Sequence, residues 1–174
     1  MSNIFTKMMK PPTEPGDINA RERPLTVLTA TFFYTGYLPK APGTWGALAT
    51  VIAAYFLFPQ NLWLQVIITA AVFLIGVPAS KRAEEIYGKD GGPIVIDETA
   101  GMLTTLIAVP KTIPFYVIAF FAFRFFDIVK PYPGRKSEGV SNGWGVMLDD
   151  IIAGLYGLIV MHIIILIYTN FYAG

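Results

Sequence analysis

Charge in this chain is confined to short interruptions between long apolar runs, and the interruption at residues 123–154 constrains the fold most tightly. It reads F-R-F-F-D-I-V-K-P-Y-P-G-R-K-S-E-G-V-S-N-G-W-G-V-M-L-D-D-I-I-A-G. An apolar run at 113–123 enters it and another at 151–168 leaves it. Ionisable groups at the ends of membrane-grade apolar segments are costly, so a retained cluster marks a functional site. Arg124 and Asp127 stand at helical spacing and can pair with each other. Asp149 and Asp150 have no basic residue in their own turn.

Composition points the same way. The chain of 174 residues is 54% hydrophobic and 14% charged, with positive mean hydropathy. Those values fit a polytopic membrane protein better than a soluble domain. A net charge of +1 gives no basic field for nucleic acid. The absence of cysteine excludes disulfides, thiolate nucleophiles, zinc–thiolate sites and iron–sulfur clusters. The N-terminal stretch has no apolar core of the kind a secretory signal needs.

Residues 1–24 are polar and carry Pro11, Pro12, Pro15 and Gly16, which predicts a flexible cytoplasmic tail. Residues 25–174 are expected to form a single membrane-embedded catalytic domain. The apolar run 25–38 is about 14 residues, roughly 21 Å as a helix, and falls short of a bilayer core of about 30 Å. It reads as an interfacial or re-entrant helix. A loop punctuated by glycine and proline follows at 35–46, and irregular backbone at membrane depth survives only where protein or a wet cavity surrounds it. Thr44 is placed to cap the next helix, whose free amides suit a phosphate, with Lys40 beside it.

Apolar helices are predicted at 44–58 and 62–79, then a charged loop at 80–93. Asp97 and Glu98 open a short apolar helix that ends before Pro110. Asp97 and Gly101 share a face of it, and the glycine admits a close neighbour. The small residues Ala153, Gly154 and Gly157 favour close helix packing. The expected fold is all-α: a polytopic membrane helix bundle with about five membrane helices plus a short interfacial or re-entrant N-terminal helix. Threading it with the N-terminus in the cytoplasm leaves Lys111 alone among the basic residues on the far side. All 12 carboxylates then fall at or near the cytoplasmic face. Lys40, Asp97, Glu98, Arg124, Asp127, Lys130, Glu138, Asp149 and Asp150 gather there.

Carboxylates without cysteine, and with a single histidine, suit a hard cation such as Mg²⁺, Mn²⁺ or Ca²⁺. Arginine and lysine nearby suit phosphate oxygens. Together they describe a phosphoryl-transfer site. His162 lies about 12 residues past Asp150, roughly 18 Å along a helix, too far to serve as a nucleophile there. It is expected to make a polar contact between helices. Asp97-Glu98-Thr99 lacks the spacing of an aspartyl-phosphate motif. A metal-activated water or an aspartate nucleophile remains.

The motifs G-Y-L-P-K-A-P-G-T-W-G (36–46), I-V-I-D-E-T-A-G (94–101), F-R-F-F-D-I-V-K-P-Y-P (123–133) and G-W-G-V-M-L-D-D-I-I-A-G (143–154), in this order, resemble the phosphatidylglycerophosphatase A family. The chain departs from that pattern at Tyr34 and Asn142, where the family tends to carry glycine. The resemblance implies a bacterial inner-membrane enzyme with its active site facing the cytoplasm. It implies Mg²⁺-dependent hydrolysis of the terminal phosphomonoester of phosphatidylglycerol phosphate, giving phosphatidylglycerol and phosphate. On that reading Asp97, Glu98, Asp127, Asp149 and Asp150 are the candidate Mg²⁺ ligands, one of them doubling as base. Lys40, Thr44, Arg124 and Lys130 would bind the substrate phosphate. Glu138 ranks below them, because its loop can leave it in solvent. Tyr37, Tyr132 and Trp144 are placed as interfacial aromatics. The alternative is a small membrane transporter built on an intramembrane Arg124–Asp127 pair. A phosphatidyl transferase would need a D-x-x-D-G-x-x-A-R pattern, which is absent.

Overall fold

The computed structural model describes residues 23–89, 91–134 and 143–172. All of the expected tail except its last two residues lies outside them, as do Glu138 and Asn142. Among the described residues the chain is helical throughout: α1 Pro24–Ala30, α2 Pro42–Leu57, α3 Leu62–Tyr87, α4 Ile96–Thr105, α5 Ile113–Val129 and α6 Trp144–Tyr172. A single 3₁₀ turn, Thr35–Tyr37, precedes α2.

Local chemistry sets several ends. Pro42 opens α2, where the missing N–H costs nothing. Asn61 caps α3 by accepting from the Leu64 N–H at 3.1 Å. Gly88, with φ of 86°, ends α3. Lys130 ends α5 in the left-handed region.

All-α is right, but the expectation of about five membrane helices is not. Among the described residues only α3 and α6, over Leu62–Tyr87 and Trp144–Phe171, are long and apolar enough to cross a membrane. The 16 residues of α2 and the 17 of α5 rise about 24 and 26 Å, and the 10 of α4 about 15 Å, against a core of about 30 Å. The physical reason is clearest at α4. Its apolar residues serve burial in protein: nine of the ten are buried. It packs against α2, α3, α5 and α6, which makes it the axis of the bundle.

Two further boundaries differ from expectation. The helix expected at 25–38 stops at Ala30, because Phe32, Phe33 and Tyr34 all take positive φ. The loop expected from Ser80 is helix instead. α3 runs through Pro78 to Tyr87, and its charged end buries Ala83 and Ile86.

Glycines let α4 approach its neighbours. A Cβ on Gly101 would come within 2.5 Å of the Asp150 carbonyl and of the Phe123 ring. A Cβ on Gly154 would collide with the Gly101 carbonyl. Thr105 then bridges the seam, its hydroxyl donating to the carbonyls of Gly101 and Gly154 at 3.2 Å each. Large apolar side chains such as Ile67, Leu74, Phe121, Phe125, Ile159 and Leu166 stand exposed on the long helices. That exterior suits lipid.

Candidate active site

α4, α5 and α6 each bring charged residues to one end of the bundle. Asp97 and Glu98 occupy the first turn of α4. Asp149 and Asp150 sit near the start of α6, inside the helix and not at its cap. Arg124 and Asp127 lie in the last turns of α5, and Lys130 is its C-cap.

The five carboxylates are not equivalent. Asp127 pairs with Arg124, one helical turn away on α5. Asp149 accepts from the Lys130 ammonium at 2.7 Å, and its other oxygen accepts the Asp150 N–H at 3.1 Å. Asp97, Glu98 and Asp150 form a group of another kind. One oxygen from each lies within 4.8 Å of the others. Asp97 and Asp150 are only 6% and 4% exposed. Asp97 Oδ1, Glu98 Oε2 and Asp150 Oδ2 are buried without a hydrogen-bond partner.

Such a triad is unstable as three bare anions. Burial, reinforced by neighbouring carboxylates, pushes the Asp97 carboxyl above its usual range. Burial likewise pushes Glu98 up to about 8. The Arg124 Nη1 is 4.0 Å from Glu98 Oε1, too far to neutralise it fully. Buried carboxylate oxygens with no nitrogen or sulfur among them fit a hard divalent cation.

Arg124 is suited to an anion. Its Nη1 makes the ion pair with Asp127, but that contact lacks the alignment of a hydrogen bond. Nε and Nη1 are both buried with no hydrogen-bond acceptor. Buried donors of this kind match phosphate oxygens.

The glycine-rich loop reaches the cluster by a residue that the sequence reading passed over. A Cβ on Gly43 would overlap Glu98 Oε1 and lie 3.3 Å from Arg124 Nη1. The N-terminus of α2 therefore abuts the carboxylates at a position with no side chain. The signal was present in the glycine- and proline-punctuated loop at 35–46, within which Gly43 was not singled out for the site. Thr44 does not cap α2; Ala41 holds the N-cap position, and no side chain caps the helix. Lys40 is exposed and forms no ion pair with a described residue. The loop is pinned from behind. Gly36 lies against the Pro93 carbonyl with no room for a Cβ, and Tyr37 shares a short hydrogen bond with Tyr87. Trp144 packs edge-on against Phe73, and Tyr132 is 70% exposed.

A profile of the family described as Phosphatidylglycerophosphatase A matches residues 28–165. The chain belongs to the phosphatidylglycerophosphatase A family. Curated relatives agree. A phosphatidylglycerophosphatase A of Haemophilus influenzae is 40% identical over 79% of this chain and 86% of its own. One of Escherichia coli is 36% identical over 79% and 81%. A protein of Bacteroides thetaiotaomicron, 43% identical over 80% and 92%, is named as a candidate phosphatidylinositol-3-phosphatase. No solved structure matches the chain.

In this phosphatidylglycerophosphatase A homologue the structure therefore brings Asp97, Glu98, Asp127, Asp149 and Asp150 to one place, with Arg124 and Lys130 among them. It adds Gly43 and leaves Lys40 at the surface. His162 stands apart. Its Nδ1 bonds the Leu158 carbonyl of its own helix at 2.8 Å and not a neighbouring helix, as its sequence position had suggested.

Proposed function

We propose that this chain hydrolyses the terminal phosphomonoester of phosphatidylglycerol phosphate, releasing phosphatidylglycerol and inorganic phosphate. The observation that carries the reading is the buried triad of Asp97, Glu98 and Asp150, with an oxygen of each lacking a hydrogen-bond partner, beside the buried donors of Arg124. Asp97, Glu98 and Asp150 would hold Mg²⁺. That ion, when bound, supplies charge stabilisation at the phosphoryl group and a more acidic water.

The other residues orient and exclude. Asp127 turns the Arg124 guanidinium toward the substrate phosphate. Asp149 holds Lys130 at the rim as a second positive charge. Gly43 keeps the space beside Glu98 open at the start of α2. Water adds its oxygen to phosphorus as the bond from phosphorus to the lipid's terminal oxygen breaks, and that oxygen leaves protonated as the glycerol hydroxyl.

Placement in the bacterial inner membrane follows from the same reading, with α3 and α6 crossing and the carboxylate end in the cytoplasm. Arg23, Lys81, Arg82, Lys89 and Lys130 accompany the carboxylate end, and Lys111 is at the other. Cytoplasmic loops carry such an excess of basic residues. The acyl chains stay in the bilayer while the phosphate enters the polar end. A transporter is not favoured, because among the described residues no aspartate, glutamate, lysine or arginine lies between this end and Lys111, and His162 is exposed on the outside of the bundle.

The test is release of inorganic phosphate from phosphatidylglycerol phosphate in mixed micelles, with and without Mg²⁺. Asp97→Asn and Asp150→Asn should each lower turnover by more than about 100-fold, beyond the loss typical of an outer-shell partner. Near-normal turnover in both overturns the triad assignment. Phosphatidylinositol 3-phosphate belongs in the same assay. Release from that lipid alone would reassign the headgroup and leave the triad in place.

A further inference from the structure

The bundle has a second polar feature, at the end away from the carboxylates. A cavity of about 390 Å³ opens where α2 ends and α3 and α5 begin. Phe58, Gln60, Gln65, Pro110, Lys111 and Tyr116 are in its wall.

Its frame is built. Gln65 is 4% exposed within the apolar helix α3. Its amide donates to the Pro59 carbonyl and accepts the Ala108 N–H, each at 2.7 Å. One buried side chain thus staples the α2–α3 turn to the α4–α5 loop and fixes both walls. A polar group kept at this depth needs both bonds satisfied, and it has them.

Among the described residues its charge meets no carboxylate. Lys111 donates to the carbonyls of Phe58 at 3.0 Å and Phe56 at 3.5 Å. An ammonium has three donors, so one remains. Residues 41–80, 99–123 and 151–172 contain no aspartate or glutamate, so the described elements around Lys111 offer it no carboxylate side chain. An anionic group from the bilayer can supply that counter-charge.

The residues next to its wall in the chain are apolar and exposed: Leu57 is 80% exposed, Phe56 and Trp63 73% each, and Ile113 65%. A lone cation inside a mixed polar pocket, collared by exposed aliphatic and aromatic side chains, matches a headgroup with its chains beside it. A free anion has no use for the collar.

We propose that this cavity is a second lipid site, taking the phosphate-bearing headgroup of an anionic phospholipid from the leaflet opposite the carboxylates. Lys111 is its counter-ion. The proposal rests on the membrane-crossing reading of α3 and α6 and is independent of the reaction at the other end.

Trp63 on the collar gives a local readout. Trp45 and Trp144 lie at the carboxylate end, so the Trp45→Phe/Trp144→Phe protein carries Trp63 as its lone indole. It is reconstituted into phosphatidylcholine vesicles with a minor fraction of brominated phosphatidylglycerol, or of brominated phosphatidylcholine at the same level. Quenching of Trp63 by the anionic lipid should exceed that by the zwitterionic one about fivefold, the scale for one basic group at an anionic surface. Lys111→Gln should abolish the preference and Lys111→Arg should restore it. Retained phosphate release in Lys111→Gln shows that the carboxylate end is intact. Equal quenching by the two lipids overturns the proposal. So does a preference that survives Lys111→Gln, or one that inorganic phosphate removes where sodium chloride of equal ionic strength does not. Because the readout is fluorescence, it stands or falls apart from the phosphatase assignment.

Discussion

Asp97, Glu98 and Asp150 are carboxylates like Asp127 and Asp149 and differ from them in their neighbours. A paired carboxylate has already offset its desolvation, whereas an unpaired buried one has not. The Glu98 carboxyl moves from 4.5 to about 8, so the metal-free fold binds more protons than the unfolded chain. Its contribution to stability is full below pH 4.5 and lost as pH rises through about 8. A divalent cation takes the carboxylate form and expels the proton. Calorimetric titration of Mg²⁺ at pH 7, in two buffers of unlike ionisation enthalpy, should therefore show proton release. Equal heats in both buffers would contradict it. Gly43→Ala is a second residue-scale prediction. Its Cβ would push Glu98 and crowd Arg124, so phosphate release should fall at least about tenfold, the scale of a misplaced catalytic group, while the melting temperature changes little. The carboxylates were legible in the sequence because charge among apolar runs is costly. Of their division into paired and unpaired, only the Arg124–Asp127 pair was, from its helical spacing. Lys130 reaches Asp149 only because α5 ends in a left-handed turn and α6 returns beside it.

At the scale of elements, α4 shows what apolar periodicity leaves open. An apolar run says that a helix avoids water, not whether lipid or protein replaces the water. Length separates the cases, and the ten residues of α4 mark it as protein-buried. The charged run from Ser80 misled in the opposite sense. It read as a loop, yet α3 continues to Tyr87 because Ala83 and Ile86 gain burial within it. The small-residue pattern was legible, since Gly101, Gly154 and Gly157 could be read as close-approach positions before their partners were known. The partners decide the magnitude. A Cβ on Gly154 would meet a backbone carbonyl of α4, which cannot swing aside. Gly154→Ala should cost about 1–3 kcal/mol as overpacking, seen as a lower melting temperature in detergent. At Gly92 a Cβ would meet only Pro42, at an ordinary 3.7 Å. Gly92→Ala should stay within about 0.5 kcal/mol of the parent. Similar losses at both positions would mean that the α4–α6 seam does not set the packing.

For the whole molecule, the two long helices run in opposite directions between two chemically different ends. α3 begins beside Lys111's pocket and finishes beside the start of α6, where a Cβ on Gly143 would lie 2.7 Å from the Lys81 amide. If α3 and α6 cross, residues 61 and 111 share one face of the membrane, and residues 81 and 89 share the other. The chain contains no cysteine, so single cysteines can report this without interference. Asn61→Cys and Lys111→Cys should react with a membrane-impermeant maleimide from outside intact spheroplasts. Lys81→Cys and Lys89→Cys should react only in inverted vesicles. Labelling of all four from one side would mean that α3 lies along the bilayer and does not pass through it. The carboxylate end and the Lys111 cavity would then face the same leaflet. The reverse pattern would keep the crossing and place the carboxylates outside, where the basic residues around them would defy the usual charge bias.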